Sequence, residues 1–393
     1  MTSKILILGY GRSGRAAEAL ARRLGYSPVV LDEVTTPTVD GSVFEGVRLA
    51  IVSPGLALTH RWLQQCRTMG VALVSELQFG VEELRRQRVR LLAVTGSKGK
   101  SSVVKVVADG LNRAGVVRAV PCGNYGKPVC EVALEGGVEW SVVEVSSFQM
   151  ETTNLAPDTF EAAAILNLQE DHLDRHGSVA VYHGLKRRLL GMARVRLEGP
   201  EGLDELRELL KDSYFDNEIL AGNGCLAARL MQVAGLDSDA IRAAFRTFEP
   251  LPHRMNEVGT FGGVRCIDDS KATSLAALAA GVVMAGADVR LIAGGLPKGD
   301  DPKSVLGVLT KRVKKVYLIG RCAEVFSAAW SGAVDCEICG TMERAVGTAL
   351  REAARGETLL LSPGTASFDQ FKSFGQRGDV FAALVKKEGQ GKS

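Results

Sequence analysis

Short apolar runs, each closed by a polar or glycine-rich turn and followed by an amphipathic stretch, recur along this chain and predict alternating strands and helices. The run KILIL, residues 4–8, has no polar alternation and reads as a strand buried on both faces. GYGRSGRAAEALARRLG supplies a glycine turn and an amphipathic helix. PVVLD is the next strand, ending at Asp32, and LAIVSPG is another. The charged helix ELQFGVEELRRQRVR closes a first domain. A second α/β series begins at Leu91, with VVKVVADGL at helical spacing and strands in SVVEVSS and AAILNL. A third begins near Val258, with strands in GVRCIDDSKATS, VRLIAGGLPKGDD, KKVYLIGR and TLLLSPGTASFDQF. The expected fold class is α/β, in domains 1–90, 91–258 and 259–393. Several of these strands end in small or polar residues, and in open parallel sheets ligands bind at that end. The tail KKEGQGKS is expected to fray.

Composition narrows the class. A chain of 393 residues is too long for one ordinary core, which agrees with several domains. It carries 48 basic and 45 acidic residues, net +3, which gives no reason to expect a nucleic-acid partner. The start MTSKILILGYG lacks a signal-peptide pattern. No apolar run reaches the roughly 18 residues of a membrane span. A cytoplasmic enzyme without membrane insertion is the expectation. The eight cysteines are scattered. The lone C-x-x-C of Cys336 and Cys339 has no second pair and reads as structural.

Two glycine loops carry candidate chemistry. Gly9-Tyr-Gly11-Arg-Ser-Gly14 matches G-x-G-x-x-G after a strand, with Asp32 downstream. Alone it fits a nucleotide site, an oxidoreductase or a tight turn. Val94-Thr-Gly-Ser-Lys-Gly-Lys-Ser-Ser102 follows the apolar run 91–94 and precedes a helix. Gly96 and Gly99 let the backbone curl and aim N–H groups inward, the helix N-terminus favours phosphate, and Lys100 supplies charge. The general P-loop pattern needs a glycine five places before Gly99, and Val94 stands there.

That loop resembles T-G-T-N-G-K-[ST] of the Mur ligases and folylpolyglutamate synthases. Other segments resemble the same family: VVEVSSFQME with Glu144, ILNLQEDHLDRH with Asn167, His172 and Asp174, YHGLK with Lys186, and LPHRMNEV with Arg254. IDDSKATS, GGLPKGDD and LLLSPGTASFDQFKSFGQRGDVF complete the set. The last is long and specific, and it is similar to the D-glutamate-adding branch. The likeness runs from residue 4 to about residue 385.

The resemblance implies three-domain Mur ligase architecture: an N-terminal Rossmann-like domain, a shortened central P-loop ATPase-like domain and a C-terminal Rossmann-like domain. It implies ATP and Mg²⁺ as cofactors, with UDP-N-acetylmuramoyl-L-alanine and D-glutamate as substrates; no nucleic-acid partner is expected, and a monomer is the expectation. A carboxylate is a poor acyl donor, so ATP would first convert it to an acyl phosphate, and cations must separate the approaching anions. By resemblance the catalytic residues are Lys100, Glu144, His172 and a carbamylated Lys186, and the metal ligands are Ser101, Glu144, His172 and Lys186. Nucleotide contacts are Gly96, Ser97, Lys98, Gly99, Lys100, Ser101, Ser102, Arg254, Asp269 and Lys271. The UDP substrate falls to Gly11, Arg12, Ser13, Asp32 and Asn124, and D-glutamate to Thr273, Lys298, Ser367 and the N–H of Phe374 or its neighbour. Gly259–Gly263 would form a hinge.

The chain departs from the family pattern at Ser97, Lys98, Ser274 and Leu296. The stretch between Lys186 and Arg254 is short, and its adenine-packing H-N-x-x-N segment is replaced by sequence in which Asn217 or Asn223 is the remnant. Two alternatives remain: another Mur or folylpolyglutamate-type amide ligase, and a nucleotide-binding homologue without catalysis.

Overall fold

The computed structural model describes residues 3–36, 39–115 and 118–389. The chain divides into two compact units, residues 1–216 with 220–248, and residues 217–219 with 249–393.

The first unit holds two sheets. One begins with β1 (Lys4–Leu8), α1 (Arg12–Arg23), β2 (Ser27–Leu31), β3 (Leu49–Val52), α2 (Arg61–Thr68), β4 (Ala72–Ser75) and α3 (Glu76–Arg86). Its strands lie in the order β2-β1-β3-β4, all parallel. The chain then continues through β5 (Arg90–Thr95), α4 (Lys100–Arg113), β6 (Ala119–Gly123), α5 (Val129–Glu135), β7 (Trp140–Glu144) and α6 (Ser147–Met150). After these come β8 (Phe160–Ile165), α7 (Leu173–His176), α8 (Val179–Arg187), β9 (Ala193–Glu198), α9 (Ala221–Val233) and α10 (Ser238–Arg246). This second sheet runs β6-β7-β5-β8-β9 and is also parallel throughout. The stretch RVRLEGPEG, in the shortened region, forms the edge strand β9 and the turn after it.

The central strand β5 is apolar on both faces because both are covered. Leu92, Val94, Val103, Val107 and Leu226 lie in one core, and Leu91, Ala93, Val129, Val143 and Leu189 lie in another. Strand order reverses around β1 and around β5. Each reversal opens a crevice at the strand ends, and both glycine loops sit there.

The second unit carries β10 (Asn256–Phe261), β11 (Val264–Asp268), α11 (Leu275–Ala285), β12 (Val289–Gly294), α12 (Leu306–Arg312) and β13 (Val313–Ile319). It ends with α13 (Ala323–Trp330), β14 (Asp335–Gly340), α14 (Met342–Glu352), β15 (Thr358–Leu361) and α15 (Phe374–Gly389). The order is β10-β11-β15-β12-β13-β14, parallel except for the hairpin β10–β11.

That hairpin spans two places singled out in the sequence. A boundary after residue 258 falls inside β10, whereas the compact division falls after Phe248. The proposed hinge glycines lie in this hairpin, with Gly259 opposite Cys266 in the ladder and Gly262 and Gly263 in the turn. The tail expected to fray from Lys386 is helical through Gly389, and residues 390–393 lie outside the described residues. Cys336 and Cys339 lie in β14 three residues apart, and both are free thiols. Strand alternation puts them on opposite faces. Among the described residues no helix is long and apolar enough to cross a membrane.

Candidate active site

The loop after β5 is held by its neighbours rather than by itself. Asn167, just past β8, accepts from the Lys98 amide at 2.9 Å and donates to the Lys98 carbonyl at 3.0 Å. Gly99 is left-handed at φ 86°, and a Cβ there would lie 2.2 Å from the Asn223 amide nitrogen, so glycine is needed twice over. Asn223 is buried beside the loop, and it also accepts from Asn167 at 3.4 Å. Lys100, first residue of α4, curls back to donate to the carbonyls of Gly96 and Ser97 at 2.8 and 3.2 Å.

Two of the expected nucleotide contacts have other occupations. Ser97 is buried, donates to the Gln169 carbonyl at 3.0 Å, accepts from the Gln169 amide at 2.9 Å and meets the Tyr182 hydroxyl at 3.1 Å. Its side chain therefore fastens the loop to the segment before His172. Ser102 is buried in α4, whereas Ser101 in the same turn is half-buried. Lys98 points outward and pairs with Asp171 at 3.3 Å.

Glu144 ends β7 and is 1 % exposed. Its Oε1 accepts from the Asn124 amide at 2.7 Å, while Oε2 is buried with no partner. An orphaned carboxylate oxygen is costly in a protein interior, and a cation would satisfy it. The donor set of Glu144, Ser101 and His172 suits a hard divalent ion through its oxygens. Among the described residues no three His, Cys, Asp or Glu side chains cluster as a metal site.

Lys186 in α8 is 1 % exposed and donates to the Gly96 carbonyl at 2.9 Å, beneath the glycine loop. Burial, and then the Lys100 charge, push its amine down to about 7. His172 adopts φ 54° at the start of α7, an uncommon backbone for a non-glycine residue. Its half-exposed ring packs on Phe148 at 4.8 Å and Tyr182 at 6.0 Å. Sequence reading missed the layer beneath. His176 stacks between Phe148 and Tyr182, meets the Ser147 hydroxyl at 3.0 Å and faces Glu151 at 3.3 Å. Its place one helical turn after His172 was the available signal.

In the first sheet, Gly11 caps α1, with Arg12 and Ser13 in the first turn. Arg12 is exposed, 3.8 Å from Glu131. Both Asp32 oxygens are engaged, accepting from the Tyr10 amide at 2.8 Å and the Val34 amide at 3.1 Å. These amides, Tyr10 first, hold its carboxyl below the ordinary value. Asp32 therefore shapes the glycine loop, a role that sequence reading did not assign it.

The second unit gathers its own set at the ends of β11, β12 and β15. Asp269 is buried, accepts from the Ser362 hydroxyl at 2.9 Å and the Met255 amide at 3.3 Å, and is pushed up to about 7 by burial. Lys271 lies 3.9 Å over the Phe374 ring. Its amine is lowered by burial and then by the nearby Arg254 and Lys298 charges, so three cations converge here. Thr273 precedes Ser274, the N-cap of α11, and Ser367 is buried in the loop after β15. Ser274 thus has a capping role in its own right. Leu296 bridges Ala366 through the backbone, so its side chain is free to differ. Arg377, another residue missed, is fully buried. It donates to the Ser270 hydroxyl and carbonyl at 3.0 and 2.9 Å and to the Thr365 carbonyl at 3.1 Å, joining two of the site's loops.

Comparison with known proteins supports one family. The model of the Mur ligase middle domain matches residues 94–196. The chain is 32% identical to the UDP-N-acetylmuramoylalanine–D-glutamate ligase of Myxococcus xanthus, covering 98% of each. It is 30% identical to the enzyme of that name from Chlamydia caviae, covering 97% of each. Among solved structures, a MurF ligase from Thermotoga maritima in complex with ADP aligns with TM-score 0.60 at 13% identity, over 91% of this chain and 98% of that one.

Proposed function

We propose a function for this chain from one premise: it belongs to the Mur ligase family. The chain is an ATP-dependent ligase that joins D-glutamate to UDP-N-acetylmuramoyl-L-alanine, in the assembly of peptidoglycan precursors. The observation that carries this reading is full-length likeness to ligases of that name, together with the glycine loop, Lys100, Glu144 and Lys186 assembled at the end of β5 and β7.

ATP would lie along the loop 96–101, its phosphates facing the N-terminus of α4. Lys100 is already poised over the loop carbonyls and would turn to the phosphate oxygens. Mg²⁺ would neutralise charge between the phosphates and the substrate carboxylate. Glu144, Ser101, His172 and carbamylated Lys186 are suited to hold it. The substrate carboxylate attacks the γ-phosphorus and ADP leaves. The D-glutamate amine then attacks the acyl phosphate, a C–N bond forms, and phosphate departs with the amine proton transferred away. Lys298, Lys271 and Thr273 offer a cationic and hydroxyl setting for the two D-glutamate carboxylates, with Ser367 and the Phe374 amide beside them. Gly11, Arg12, Ser13 and Asp32 are the proposed UDP-substrate residues, and Arg254, Asp269 and Lys271 are further proposed nucleotide residues. We place the chain in the cytoplasm, where ATP is available, and take it to act as a monomer.

Phosphate release from ATP and UDP-N-acetylmuramoyl-L-alanine, compared across amino acids, tests the proposal. D-Glutamate is expected to give the fastest turnover. Faster turnover with L-alanine, L-glutamate or a diamino acid would overturn the assignment.

A further inference from the structure

The turn after β6 is built around Glu144. The Asn124 amide N–H donates to the Glu144 main-chain carbonyl at 2.9 Å. Gly123, at φ 94°, leaves that carbonyl room, since a Cβ there would lie 2.3 Å from it. The turn closes on itself through the Gly123 amide and the Lys127 carbonyl at 2.8 Å. With the backbone fixed in this way, the Asn124 side chain reaches the Glu144 carboxylate and donates to Oε1 at 2.7 Å. One oxygen is thereby committed, and the other, Oε2, is left buried and without a partner. A carboxylate held by one oxygen cannot swing, so its free oxygen points one way.

We propose that Asn124 is a positioning residue for Glu144: it anchors Oε1 so that Oε2 is presented to the divalent cation. This deepens the proposed function and rests on its reading of Glu144 as a metal ligand. It also changes the role of Asn124, which the family resemblance assigns to the UDP substrate. The remaining amide hydrogen of Asn124 and its carbonyl oxygen are not needed for this role.

The two roles separate by measurement on the full chain. Mn²⁺ binding is read by electron paramagnetic resonance in the presence of a non-hydrolysable ATP analogue. Binding of UDP-N-acetylmuramoyl-L-alanine is read by calorimetry. Asn124→Ala is expected to weaken Mn²⁺ by about 10- to 100-fold, the range typical of groups that orient a metal ligand, and to leave UDP-substrate affinity nearly unchanged. The same substitution in a Glu144→Gln background is expected to add almost nothing, because the residue acts through the carboxylate. Fully additive effects in that double variant would overturn the proposal. So would weakened UDP-substrate binding with Mn²⁺ affinity intact. Thermal unfolding of Asn124→Ala shows whether the turn still folds, and if it does not, the carboxylate-specific double comparison is made with Asn124→Ser. Failure of Glu144→Gln itself to weaken Mn²⁺ would instead remove the underlying reading of Glu144.

Discussion

Lys186 shows how burial can make a surface-type residue chemically useful. Its amine, set under the phosphate loop and pushed down to about 7, is substantially neutral at physiological pH. A neutral amine adds to carbon dioxide, forming an N–C bond and releasing a proton, and the product presents two carboxylate-type oxygens in place of an amine. A carbamate carbon signal is expected by NMR under labelled bicarbonate in the wild type and not in Lys186→Ala. That variant should also be inactive and partly restored by short carboxylates. Retained activity without rescue would count against the modification. Lys100 acts differently. It lies over the loop carbonyls of Gly96 and Ser97, and Lys100→Ala should raise the barrier by about 3 kcal/mol, read as loss of kcat at saturating ATP. Near wild-type turnover would make the loop structural. The sequence named both lysines, but it could not show that Ser97 and Asp32 spend their side chains on the protein itself.

At the scale of elements, α3 and α5 are joined by a buried carboxyl. Glu76 opens α3, is 2 % exposed and accepts from the Cys130 amide in α5 at 2.7 Å. Burial pushes its carboxyl up from 4.5 to about 7, against the opposing Cys130 amide. Glu131 also faces it, and the Cys122 and Cys130 thiols nearby are themselves raised by burial, so neither ionises near neutrality. The folded chain therefore keeps a proton that the unfolded chain releases. The contribution of Glu76 to stability falls as pH rises between 4.5 and about 7, by about 3 kcal/mol in all. Glu76→Gln cannot ionise and keeps an acceptor. Its melting temperature should match wild type near pH 4.5 and exceed it increasingly up to about pH 7, then level off. A difference independent of pH would show that Glu76 stays charged. The glutamate was visible in the sequence only as a helix-start residue, because α5 lies more than fifty positions away.

For the molecule as a whole, each core belongs to one unit. The cores of the C-terminal unit draw only on residues from Met255 to Val385, and the others only on residues up to Phe248. The one short segment assigned to the second unit from elsewhere, residues 217–219, brings an exposed ion pair, Glu218 with Arg312, and such pairs contribute little. Residues 249–393 expressed alone should therefore unfold cooperatively on heating, monitored by circular dichroism. A broad, non-cooperative melt would show that the unit depends on the rest of the chain.

Local pattern determined the strands, most of the helices and the three sheet-forming regions, because periodicity and glycine turns act over a few residues. It also located the glycine loop that leads into Lys100, whereas Glu144, Lys186, Lys271 and Lys298 were named by the family resemblance. The tertiary structure alone decided what those loops touch. Asn124 turned to Glu144, Lys186 slid beneath Gly96, and buried Arg377 joined the loops of Ser270 and Thr365. It also set Gly259 into the β10–β11 hairpin. Each of these depends on which polar group meets which partner once water is excluded. That choice is made by packing between segments distant in the chain, where no local spacing records it.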